Sequence, residues 1–134
     1  MFQESIEMKM IGDSKMPVCM NGVYKLFARE SGIIQARHGA KIPTGFMMKM
    51  QKSYFAKIQP SRIRTFGGVI DSDYRGEICV LAFNSMNTDF EYAAGDEVAE
   101  MMILRIVTPE IKKFYSCFCD CKANVMACAI ATTP

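Results

Sequence analysis

The chain has 134 residues, half of them hydrophobic and 22% charged, with a formal net charge of +2 at neutral pH. That length suits one domain with its own core. Lys and Arg occur singly or in pairs rather than in runs, which argues against a nucleic-acid partner. No apolar run reaches the ~18–20 residues of a membrane-spanning helix. MFQESIEMKM, the N-terminal stretch, lacks the continuous apolar core of a signal peptide. The expectation is a soluble, intracellular protein whose cysteines are free thiols.

In chain order, Lys41–Phe46 reads as a Pro-Thr-Gly break followed by an apolar run. Ser53–Pro60 alternates, with Tyr54, Ala56 and Ile58 on one face and Phe55 and Lys57 on the other, and it ends at proline. Ile78–Phe83 is a compact β-rich run closing at the turn-forming Asn84-Ser85. Such runs at roughly ten-residue spacing predict an all-β sandwich or barrel. Glu97–Ile106 is ambiguous, and its periodicity and propensity favour a helix. The methionines of Met47-Met48-x-Met50 and Met101-Met102 are assigned to the core rather than to a binding surface. After Pro109 the composition changes, so residues 1–109 are read as the domain and 110–134 as a Cys-rich tail or arm. Cys117, Cys119, Cys121 and Cys128 lack zinc-knuckle spacing, and an oxidisable tail is preferred there to a metal site.

The stretch richest in chemistry is GGVIDSDYRGEI, residues 67–78. Asp71 and Asp73, two apart, would face one way on an extended strand. The reversal around Tyr74-Arg75-Gly76 suggests a hairpin, and Gly67-Gly68 permits close approach of another backbone or a flat ligand. A solvated acidic tip is one reading. The other is a carboxylate base beside an aromatic platform, with backbone groups able to bond a base edge.

GVIDSDYRGE resembles the third signature motif of the trimeric dUTPases, which split dUTP into dUMP and pyrophosphate. IPTGF at 42–46 and SYFAKIQPSR at 53–62 resemble the family's VPTGI and GYYGRIAPRSG segments. LAFNS at 81–85 resembles its VLFN turn, and FEYAAGDEVAEMMI at 90–103 its fourth motif. NGVYKLFA at 21–28 falls where the first motif should lie. The resemblance implies a jelly-roll β domain, or distorted β-barrel, assembled as a homotrimer, with 97–107 a buried strand rather than a helix. It implies Asp71 as the water-activating base and Tyr74 as the platform that stacks on deoxyribose. The backbone of Gly68, Val69 and Ile70 would read the uracil edge.

The phosphate half departs from the family pattern. Lys25 stands where an aspartate helps to hold magnesium, and a cation there opposes the metal. The PRSG run appears as Pro60-Ser61-Arg62-Ile63, and the segment between the second and third motifs is short. Glu97 and Glu100 replace a basic residue and a glutamine. The fifth, glycine-rich motif has no counterpart, since no glycine follows Gly95. A rearranged site in which Glu100 replaces the lost carboxylate while Lys25 and Arg62 meet phosphate is the alternative. Shorter segments, NGVYKLF and MMILRIVTPEIKKF, resemble the dUTPase-derived adenovirus early-region-four first-frame proteins, which recruit host proteins. The sequence reading is therefore a dUTPase-family protein of viral character, acting in the cytoplasm or nucleus of a host cell. Its hydrolysis is impaired and it has protein partners; alternatively it is an active, Mg2+-dependent dUTP diphosphatase.

Overall fold

A computed structural model of the chain describes residues 4–115, and among these the regular structure is all strand. The largest sheet is antiparallel and runs β2 (Val18–Met20), β3 (Val23–Phe27), β12 (Glu97–Arg105), β7 (Tyr54–Pro60), β9 (Val69–Ile70). A second sheet orders β5 (Gly39–Pro43), β10 (Cys79–Phe83) and β8 (Arg64–Thr65). Two ribbons complete the set: β1 (Glu7–Met10) with β6 (Phe46–Lys49), and β4 (Gly32–Ile34) with β11 (Phe90–Tyr92). Strand neighbours are mostly distant in sequence, as in a jelly roll.

β7 shows why the sequence folds this way. Tyr54, Ala56 and Ile58 are buried while Phe55, Lys57 and Gln59 are not, the period-two pattern of a strand covering a core. Those side chains meet Leu26, Val98 and Met101 of the same sheet, Ile42, Val80 and Ala82 of the second, and Phe46 of β6. Met48, Met50 and Met101 are buried in this cluster, so these methionines are core residues. Buried Asn84 pins the turn after β10, its amide donating to the carbonyl oxygens of Ile34 and Thr88 at 3.1 and 2.8 Å.

Glu97–Arg105 is a nine-residue strand, as the resemblance implies for 97–107 and against the helix its periodicity favours. It pairs with β3 on one edge and β7 on the other, and that burial overrides helix propensity. The stretch 67–78 is not the expected hairpin. β9 pairs with β7, whereas β10 pairs with β5 and β8, so residues 71–78 form a loop crossing from one sheet to the other. Asp71 and Asp73 therefore sit in a turn, with the Tyr74 amide donating to the Asp71 carbonyl at 3.2 Å. Residues 106–115 form no strand, and the cluster Cys117, Cys119, Cys121, Cys128 lies outside the described residues.

Candidate functional site

The 71–78 loop is held at both ends by backbone contacts. At its start, Gly68 presses on β7: the Ile58 amide donates to the Gly68 carbonyl at 2.8 Å. A Cβ at Gly68 would lie 2.8 Å from the Ile58 carbonyl oxygen, and its φ of +92° suits glycine alone, so this close approach is the one Gly67-Gly68 predicts. At its end, buried Thr44 donates from both amide and hydroxyl to the Ile78 carbonyl, and the Ile78 amide donates to Phe46 at 2.8 Å. Glu77 adds a side-chain clasp: its carboxylate accepts from the Gly45 amide at 3.0 Å and pairs with Arg29 at 3.4 Å. The break at Thr44-Gly45 thus fixes the loop that carries the acidic residues.

Between this loop and the second sheet lies a cleft of about 720 Å³. Gly68, Val69, Ile70, Asp71 and Tyr74 all line it, together with Asp73, Glu77 and, from the second sheet, Lys41, Cys79 and Leu81. Tyr74 is half exposed. Its ring lies over Gly76, where a Cβ would come within 2.6 Å of the hydroxyl, and that hydroxyl donates to the Glu77 carbonyl at 2.9 Å. The aromatic face is therefore set by the loop's own glycine. Burial, and then the charge of Glu77, pushes the Cys79 thiol up from its ordinary value, while Lys41 opposes the shift. The Cys79 thiol shares the cleft with the acidic side chains of Asp71, Asp73 and Glu77 and the basic ones of Lys41 and Arg75.

Arg62 does not join this group. Its guanidinium pairs with Asp96 at 3.5 Å and lies 5.5 Å from the centre of the Phe90 ring. It belongs to a second cluster at the junction of β3, β12 and the end of β7. There Lys25 reaches Glu100 at 2.5 Å and Glu97 at 3.2 Å. Hydrogen bonding to Glu100, and next to Glu97, raises the lysine pKa above its ordinary value. Three residues apart on a regular strand, Glu97 and Glu100 would point to opposite faces. An irregularity in the β3–β12 register between Glu97 and Ala99 resets the alternation, and Val98 and Ala99 are buried in succession. Both carboxylates then reach one ammonium.

The two clusters lie on opposite edges of β7, since β12 pairs with one edge and β9 with the other. Sequence reasoning finds the residues of both but misses the pairing of Lys25 with its two glutamates. It also misses the clasp by Thr44 and Glu77, for which Thr44-Gly45 and Gly76-Glu77, both inside the quoted motifs, were the available signals.

A family model described as dUTPase matches residues 21–121. The chain belongs to the dUTPase family. Among its relatives is the deoxyuridine 5'-triphosphate nucleotidohydrolase of Yarrowia lipolytica, 38% identical over 96 residues, which cover 66% of this chain and 61% of that protein. The rice enzyme of the same name is 36% identical over 95 residues, covering 66% and 56%. The fowlpox virus one is 33% identical over 95 residues, covering 66% of each. The chain thus spans about three fifths of the length of the yeast and rice relatives. Among solved structures, the dUTPase of phage phi11 of S. aureus aligns with a TM-score of 0.77 at 16% identity, over 84% of this chain and 97% of that one. Staphylococcus bacteriophage 80alpha dUTPase with dUpNHpp gives 0.79 at 15%, over 87% and 92%. At that identity the likeness establishes the fold, an all-β jelly roll.

Work on the phi11 protein describes a structural Mg(II) ion, and dUTPases generally depend on magnesium. Where the resemblance places the aspartate that helps to hold magnesium, this chain has Lys25, and its residues do not fit that ion. An ammonium already sits between the two carboxylates. Among the described residues no group of three or more His, Cys, Asp or Glu could hold a metal.

Proposed function

We propose that this chain binds a deoxyuridine nucleotide in the cleft lined by Asp71 and Tyr74, and that its hydrolysis of dUTP is impaired or lost. One observation carries the reading: the cations on the phosphate side are taken up inside the chain, Lys25 by Glu97 and Glu100, and Arg62 by Asp96. Phosphoryl chemistry needs cations aimed at the developing charge, and a self-paired cation must first be released. Lys25 with its two glutamates carries net negative charge, which repels a triphosphate. The base and sugar half is in better order: Gly68, Val69, Ile70 and Tyr74 together line a ligand-sized cleft.

The retained role is then recognition, of a nucleotide and of host proteins, by a homotrimer inside a host cell. Exposed Ile106, Val107 and Ile111 on the segment after β12 offer apolar surface for such contacts. The fowlpox relative supports a viral setting.

A second reading, an active dUTP diphosphatase with Asp71 as base, is favoured by the joint placement of Asp71 and Tyr74 in the cleft. Pyrophosphate release from dUTP with Mg2+, run beside Asp71→Ala, separates the two. Impaired hydrolysis predicts release close to the Asp71→Ala background. Release that the substitution lowers by ~100-fold or more establishes the second reading.

A further inference from the structure

We propose that the phosphate side of this chain carries a tethered cation in place of a bound one: the Lys25 ammonium occupies the place of a divalent ion, and the chain binds no magnesium there. The register irregularity in β12 is what creates the seat, by turning Glu97 and Glu100 toward the same point. Lys25 stands directly opposite Glu100 across the β3–β12 ladder, so its side chain is delivered to that point by the strand pairing itself. All three side chains are partly exposed, at 24%, 33% and 24% for Lys25, Glu97 and Glu100, so solvent ions can compete for the carboxylates.

The competition favours the lysine. A group tethered to the adjacent strand acts at an effective concentration in the millimolar range or above. Magnesium, in turn, sheds its water reluctantly and demands near-octahedral oxygen geometry. Exchanging the ammonium for a divalent ion would also strand a positive charge beside that ion. The inference concerns the chain alone and stands whether or not the cleft binds a nucleotide.

The test titrates the full chain with Mn2+, followed by electron paramagnetic resonance of the unbound ion, with Mg2+ as competitor. The wild-type chain is expected to take up no stoichiometric Mn2+. Lys25→Asp, which exchanges a cation for a third carboxylate, should take up one ion per chain at least about tenfold more tightly. Mg2+ should displace that ion, and adding Glu100→Gln should abolish the gain. If Lys25→Asp does not melt cooperatively, Lys25→Ala leaves the two carboxylates facing each other and should show a smaller gain. Stoichiometric Mn2+ uptake by the wild type that Glu100→Gln removes would overturn the proposal. So would folded Lys25 variants that bind no better than wild type.

Discussion

β7 has a different kind of surface on each edge. Beside β9, the chain leaves Asp71, Asp73 and the Tyr74 ring facing a cleft, held by a loop whose own bonds are made through backbone, Thr44 and Glu77. Beside β12, residues of equal charge content close on one another, as Lys25 with two glutamates and Arg62 with Asp96. The two edges have similar residue types and opposite availability. Lys25 and Arg62 have their partners inside the chain, whereas Asp71 and Tyr74 face the cleft.

Changes that strike the shared core should disturb both edges and have the largest effect. Phe46 is fully buried and also anchors Ile78 by backbone, so Phe46→Ala should cost about 3–5 kcal/mol in denaturant unfolding. Thr44→Val should separate the edges. It leaves the buried Ile78 carbonyl one donor short, costs about 1–3 kcal/mol, and weakens nucleotide binding by loosening the loop. Isothermal titration with dUMP and a denaturant midpoint would check both effects.

Gly76→Ala should act on the cleft alone. Its Cβ would displace the Tyr74 hydroxyl, so dUMP binding should weaken by roughly tenfold, about 1.4 kcal/mol, with stability little changed. On the other edge, pH is the finer probe. The pKa of Lys25 lies above the ordinary 10.5 in the folded chain, so the stabilisation from its pairing is complete below 10.5 and fades as pH rises through the folded value. The melting-temperature difference between wild type and Lys25→Met should therefore shrink in alkali, and it should be small throughout because the ion pairs are partly exposed to solvent. Smallest of all, saturating dUMP should slow alkylation of Cys79, which lines the cleft, and leave exposed Cys19 unaffected; peptide mass spectrometry reads both.

Much of the fold was legible because its strands carry their burial in their alternation, as β7 does, or end at marked turns, as β10 does at Asn84. β12 was not, since its register irregularity buries Val98 and Ala99 in succession and breaks the alternation that identifies a strand, and its charges and methionines suit a helix equally well. The resemblance corrected that segment where periodicity could not. In the site, Asp71, Tyr74 and the backbone from Gly68 to Ile70 were legible as a contiguous motif, and the structure places them on one cleft. Their assignment to a hairpin failed because strand pairing is non-local: nothing within 67–78 says that β9 and β10 belong to different sheets. The Lys25 pairing was hidden for a similar reason. It depends on a one-residue register shift in β12, and glutamates three apart give no sign of that shift.

The most direct test is a pair of dissociation constants, for dUMP and for the non-hydrolysable triphosphate dUpNHpp, each measured with Mg2+ and with EDTA. If the phosphate edge is closed by its own ion pairs, the two nucleotides should bind within roughly tenfold of each other, and Mg2+ should change neither. A triphosphate bound a hundredfold or more tightly than dUMP, and only with Mg2+, would contradict it. The phosphate edge would then be open, and Lys25 and Arg62 would be ligands of the substrate rather than of their own glutamates and aspartate.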